Sequence, residues 1–210
     1  MKRFCIYFFI WMLSSSFHSV YGQKEIPKPI IVLDPGHGGS DSGAIGVNGL
    51  QEKDVVLKIA LEVLRLNKKL FSDTLDIYST RYNDTLISLR HRTKLVTALK
   101  PKVFISIHCN QAGREAAQGI EVYIHKTNKR SEELARLFAA GLNQKLSFKN
   151  RGLKYGNFQV LRETTAYPSV LLELGFLSNY EEAEHNEKGS TISGYALLIL
   201  ETLLKLIGNG

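Results

Sequence analysis

Cysteine is nearly absent from this chain: its 210 residues contain two, Cys5 and Cys109. Cys5 falls within a leader-like start, so the remainder keeps Cys109 alone and excludes an internal disulfide. Stability must then rest on a hydrophobic core or a bound ion. Linkers are missing too. No Gly/Ser/Pro-rich stretch and no repeated block divides the sequence, which argues against a string of modules. Beyond the N-terminus no segment approaches the ~20 consecutive apolar residues of a membrane-spanning helix. The formal charge is +7, yet Lys and Arg do not gather with aromatics into a stripe, so no nucleic-acid partner is expected. A diffuse positive surface suits a fixed polyanionic matrix such as a cell wall, or is simply a solvated face.

What is present begins with "MKRFCIYFFIWMLSSSFHSVYGQ". Two bases, an apolar stretch over residues 4–13 and a polar segment ending at Gly22 have the layout of a secretory signal peptide. The expectation is a leader over 1–22 and one domain over 23–210, exported to a periplasmic or extracellular location, with no stable membrane span after cleavage. A retained N-terminal anchor is the alternative. Without Lys2 and Arg3 the formal charge drops to +5.

Along the chain, strand-length apolar runs alternate with helical patterns. "PIIVLD" (29–34), "TLDIYST" (74–80), "KVFISIH" (102–108), "GIEVYIH" (119–125), "FQVLR" (158–162) and "SVLLELG" (169–175) read as strands. Helices are predicted over 52–70, with Val55, Val56, Ile59, Val63 and Leu66 on one stripe, and over 88–100, 131–146 and 190–208. Ser88 and Ser131 are the expected N-caps of the second and third. This alternation predicts a single α/β domain with a largely parallel central sheet. In such sheets ligands collect beyond the carboxyl ends of the strands. His37, His108 and Glu173 all fall at that edge.

The segment "IVLDPGHGGSDSGA" (31–44) tests several chemistries. A dinucleotide fingerprint needs G-x-G-x-x-G, but Asp41 stands where the last glycine belongs. No Walker-type loop occurs, and neither Ser40 nor Ser42 has the glycines of a hydrolase elbow. A metal site fits better. Hydrolytic zinc takes three N or O ligands and leaves one position for water. His37 and His108 supply two, and Glu52, opening the first helix, is the best third candidate. Glu173 lies within "VLLELGF", and burying it alone would cost several kcal/mol. It calls for a nearby cation or strong donors, or else an internal pair with an arginine. His91 sits between two arginines, His125 closes a strand, and His185 reads as solvated. Cys109 should face away from His108, since neighbours on a strand point to opposite faces.

Together "LDPGHGGSDSGAIGVNGLQEKDVVL", "STRYNDTLISLRHRTKLV", "VFISIHCNQA", "GIEVYI" and "RGLKYGNFQVLRETTAYPSVLLELGFLSN" resemble the zinc-dependent N-acetylmuramoyl-L-alanine amidases, from about residue 30 to the C-terminus. The resemblance implies a zinc-exopeptidase-like fold, a mixed, mostly parallel central sheet flanked by helices on both faces, and one Zn²⁺ per chain on His37, Glu52 and His108, with Glu173 as the catalytic carboxylate. It implies peptidoglycan as substrate, cut between N-acetylmuramic acid and the L-alanine of the stem peptide. Asn110, Arg92 and Arg151 are candidate substrate contacts, Arg92 being equally suited to brace a loop. Asp34 or Asp41 is expected to orient the His37 imidazole through its second nitrogen. Some periplasmic members carry an occluding helical insertion between the "GIEVYI" and "RGLK" strands. Here residues 126–150 leave room for one amphipathic helix, so an open site is expected, and a regulatory partner is not required. A related zinc peptidase, or a non-catalytic peptidoglycan-binding module, is the competing reading.

Overall fold

A computed structural model describes residues 27–208; the leader over 1–22 lies outside the described residues. Six strands and six helices follow in order. They are β1 (Ile30–Pro35), α1 (Glu52–Leu70), β2 (Asp76–Ser79), α2 (Leu89–Leu99), β3 (Val103–Asn110) and β4 (Ile120–Ile124), then α3 (Ser131–Leu146), β5 (Asn150–Tyr155), α4 (Gln159–Arg162), β6 (Ser169–Phe176), α5 (Tyr180–Glu187) and α6 (Gly189–Gly208). They form one sheet in the order β2-β1-β3-β6-β4-β5. All neighbours run parallel except β4 against β6.

The continuous apolar runs of β1, β3 and β6 follow from burial on both faces. Ile31, Leu33, Ile105, Ile107, Val170 and Leu172 point to the larger core, covered by α1, α3 and α6. Val32, Phe104 and Leu171 point the other way, under α2 and α4. By length and composition α6 is apolar enough to cross a membrane, unlike the expectation for the later segments; in this fold it packs on α1 and α3 with half its most apolar stretch buried.

Three local expectations are corrected. "FQVLR" forms the short helix α4 rather than a strand: Val160 and Leu161 pack onto the sheet face, and β5 already occupies the edge beside β4. Ser131 is the first helical residue, after Arg130, and its Oγ accepts a hydrogen bond from Ser169 N at 2.7 Å, fastening α3 to β6 instead of capping the helix. His185 belongs to α5, half-buried, with its ring 5.1 Å from that of Phe148.

The carboxyl ends of β1, β3 and β6 lie side by side, and antiparallel β4 starts at the same edge. Register places His108 beside Glu173 and Glu173 beside Glu121. These three residues therefore form one polar row on the face that α2 and α4 cover only in part.

Candidate active site

The loop after β1 is held by arginines. Arg92 Nη1 donates to the Pro35 carbonyl (2.8 Å) and Nη2 to that of His37 (2.7 Å), while Arg81 Nε donates to Pro35 O (3.0 Å) and Nη2 to Gly36 O (2.8 Å). Both guanidinium groups belong to buried residues. The loop they grip carries His37 in the left-handed backbone region, at φ 58°. That conformation is strained for a residue with a Cβ and persists only when its surroundings impose it.

Glycine at two positions is a matter of clearance. A Cβ on Gly36 would stand 2.2 Å from His108 Cε1, and one on Gly43 2.5 Å from Glu52 Oε2 and 2.7 Å from His37 Cδ2. The space cleared is thus for the three side chains that converge here.

Those side chains meet on Glu52. Its Oε1 lies 3.1 Å from His37 Nε2 and 2.9 Å from His108 Nδ1, and also accepts from Cys109 N, while Oε2 accepts from Ala44 N at 2.8 Å. His37 Nδ1 is 2.9 Å from Asp41 Oδ2, a contact that directs Nε2 toward the centre. One ligand atom from each of His37, Glu52 and His108 falls within 4.8 Å of the others. Burial pulls the His37 imidazole down, but Glu52 and Asp41 outweigh it and hold it up at about 9. Burial likewise opposes ionisation of Glu52, yet the two imidazoles keep its carboxyl well below the usual range. The carboxylate has drawn positive charge around itself, as a cation site does.

Glu173 stands one strand away. Among the described residues its Oε2 is buried with no hydrogen-bond partner. Burial pushes its carboxyl up to about 7, with His108 pulling the other way. This carboxyl lies in register beside His108 of the three-donor set. A cavity of about 360 Å³ opens over it, walled by Leu86, Leu89 and Phe158.

Other candidates fall elsewhere. Asp34 does not reach His37: it pairs with Arg92 at 2.7 Å and accepts from Thr80 Oγ1 and Ser106 Oγ, because its strand position points it under α2. Arg92, buried by those contacts, braces the loop, with only a limited face toward the cavity. Asn110 Nδ2, from the end of β3, and Arg151 Nε, from β5, both donate to Glu121, at 3.0 and 2.6 Å; Glu121 lies beyond β6 from the His37/Glu52/His108 donor set. Cys109 faces the larger core. His91 bonds Ser88 and His125 bonds Thr127, both away from the donor set.

Arg81, Glu121, Lys154 and Phe158 were not expected from sequence. Glu121 had a signal: like Glu173, it is a carboxylate inside an apolar strand, "GIEVYI". Arg81 had none, since a polar loop after a strand gives no hint that its arginine turns inward.

A His/Glu/His donor set beside an unpartnered carboxylate, at the carboxyl edge of a mostly parallel sheet, is a candidate metal site of the kind hydrolytic zinc centres use. The family model for N-acetylmuramoyl-L-alanine amidase matches residues 31–204, and the chain belongs to that family. Among curated proteins it is 39% identical over 158 residues to the probable cell wall amidase LytH of Staphylococcus saprophyticus, covering 74% of this chain and 50% of that protein. The LytH of Staphylococcus aureus is 40% identical over 159 residues, 75% of this chain and 51% of the relative. The chain thus spans about half the length of the curated relatives it matches. Among solved structures, the catalytic domain of CwlV, an N-acetylmuramoyl-L-alanine amidase from Bacillus (Paenibacillus) polymyxa, superposes with a TM-score of 0.79 at 35% identity, over 86% of this chain and 98% of that one. The amidase AmiC2 of Nostoc punctiforme gives 0.80 at 32%, over 87% and 98%.

Proposed function

We propose that this protein hydrolyses the amide between the lactyl group of N-acetylmuramic acid and the L-alanine of the peptidoglycan stem peptide, with one Zn²⁺ held by His37, Glu52 and His108. The single observation that carries this reading is the Glu173 carboxyl, in register beside His108 with Oε2 buried and unpartnered among the described residues. Zinc, when bound, supplies a Lewis acid that acidifies water and polarises the scissile carbonyl. Glu173 removes a proton from the attacking water as its oxygen bonds the carbonyl carbon. The C–N bond then breaks, and Glu173 returns the proton to the departing alanine nitrogen. Burial favours the protonated form of this carboxyl and a bound cation the ionised form, so the site supports both proton states. Asp41 fixes the His37 ring, while Arg81 and Arg92 fix the backbone that presents it.

The leader-like residues 1–22 and the positive formal charge support an exported protein working on the wall. The test is the purified protein on intact peptidoglycan, with and without a chelator. Release of lactyl-terminated glycan together with peptides bearing a new L-alanine amine supports the amidase. New amino termini within the peptide alone point to the related zinc peptidase, binding without products points to the non-catalytic module, and cleavage surviving complete metal removal overturns the metal mechanism.

A further inference from the structure

We propose that Arg151 and Lys154, gathered on the buried carboxylate of Glu121, form a carboxylate-binding subsite for the peptide portion of the substrate; the proposal rests on the amidase reading above. Glu121 is buried on β4, in register with Glu173. Its Oε1 accepts from Arg151 Nε (2.6 Å) and Lys154 Nζ (2.5 Å), and its Oε2 from Tyr123 OH (2.8 Å) and Asn110 Nδ2 (3.0 Å). With both oxygens engaged, Glu121 has no capacity left to act as a base. It is a positioning residue.

Arg151 and Lys154 share the Glu121 carboxylate, and Glu182, the next acidic group in range of Arg151, is engaged by the backbone N–H groups of Gly119 and Phe176. A guanidinium offers five N–H donors and an ammonium three, more than one carboxylate can engage. Arg151 also lies 5.1 Å from the Phe176 ring centroid and donates to Gln118 O at 3.3 Å, which fixes its plane. Both cationic side chains remain about one-third exposed, at 33% and 36%. Their unengaged donors therefore face solvent, on the opposite side of Glu173 from the His37/Glu52/His108 donor set. Such a pair is suited to a second carboxylate, through charge-assisted hydrogen bonds.

Spacing limits where that carboxylate belongs. β5 lies two strands from β6, roughly 10 Å at the usual strand separation, which an extended peptide covers in about three residues. The group recognised should thus be a free carboxylate within about three residues of the cleaved amide.

The experiment compares a defined muropeptide carrying such a carboxylate with its carboxamide analogue, using the metal-loaded protein and the Arg151→Gln, Lys154→Gln and Glu121→Gln variants. Wild type should favour the acid in KM by ~10-fold, with little effect on kcat, and this ratio should collapse toward one in the first two variants. Because Lys154 lacks the Gln118 and Phe176 contacts of Arg151, its variant keeps the test open if Arg151→Gln does not fold. Glu121→Gln retains both cations but loses their anchor, and should lower the preference without abolishing it. Equal KM for acid and amide in wild type overturns the subsite while leaving the amidase reading intact, and a ratio unchanged by either cation variant reduces the cluster to a structural ion pair. If wild type cleaves neither compound, calorimetric binding of the free peptide acid against its amide decides: tighter binding of the acid upholds the subsite while the amidase reading fails.

Discussion

Asp34 and Arg92 form an ion pair of 2.7 Å in which both side chains are sealed from solvent. The pair joins β1 to α2, and the same guanidinium donates to the carbonyls of Pro35 and His37. Removing one partner of a buried pair strands the other charge, a loss of about 3–5 kcal/mol. Arg92→Met is therefore expected to destabilise the fold by that order, read from the midpoint of a urea titration. Arg92→Lys should recover little, because an ammonium lacks the planar fork that spans four acceptors, Asp34 and the carbonyls of Pro35, His37 and Ile87. Full rescue by lysine would show that charge alone matters.

Arg81 poses a different case. Its guanidinium is spent on backbone carbonyls: those of Pro35, Gly36, Lys53 and Asn83. It ties the His37 loop to the first turn of α1, which carries Glu52. Arg81→Lys should weaken zinc affinity roughly 10- to 100-fold, the usual effect of losing support behind metal ligands. Competition with a chromophoric chelator measures it. Unchanged affinity would assign Arg81 to stability only.

The fold was largely legible because its signals are strong. α1 begins at Glu52 and ends at Leu70, as its apolar stripe predicts, and buried strands announce themselves as unbroken Val/Ile/Leu runs. Metal donors were legible because a histidine at a strand end, or a carboxylate amid leucines, is costly without a purpose. "FQVLR" misled because four or five residues carry no usable period. Asp34 misled because proximity in sequence to His37 does not decide direction: a strand residue faces one side of the sheet, and Asp34 faces α2. Arg81 stayed hidden because its partners are main-chain carbonyls, which any sequence supplies.

Gly36 tests the clearance argument directly. An alanine Cβ there would sit 2.2 Å from the His108 ring, and its backbone N–H is committed to Ile107 O at 3.0 Å. The ring must move for the methyl to fit. Gly36→Ala should therefore lower zinc stoichiometry or affinity more than it lowers stability of the metal-free protein. A variant that binds zinc as wild type does would show that the loop shifts freely, contrary to its grip by two arginines.

Glu173 gives the sharpest prediction, because one substitution should raise stability and abolish activity. In the metal-free protein burial raises its carboxyl from 4.5 to about 7. Below pH 4.5 the group is protonated in both folded and unfolded chains, so the raised value has its full stabilising effect there. As pH rises through 7 that stability is lost, since the unfolded chain ionises freely and the folded one does so against burial. Glu173→Gln removes the ionisation. Metal-free Glu173→Gln should match wild type near pH 4 and exceed it by about 3 kcal/mol at most near pH 8, with the gap opening between pH 4.5 and 7. Denaturation midpoints across that range measure it, and a gap independent of pH would refute the cause. In the metal-loaded protein the same variant should keep its zinc and lose roughly 10²–10⁴-fold in kcat, the scale of removing a general acid–base group. Wild-type turnover by the variant would remove Glu173 from the chemistry, whatever its effect on stability.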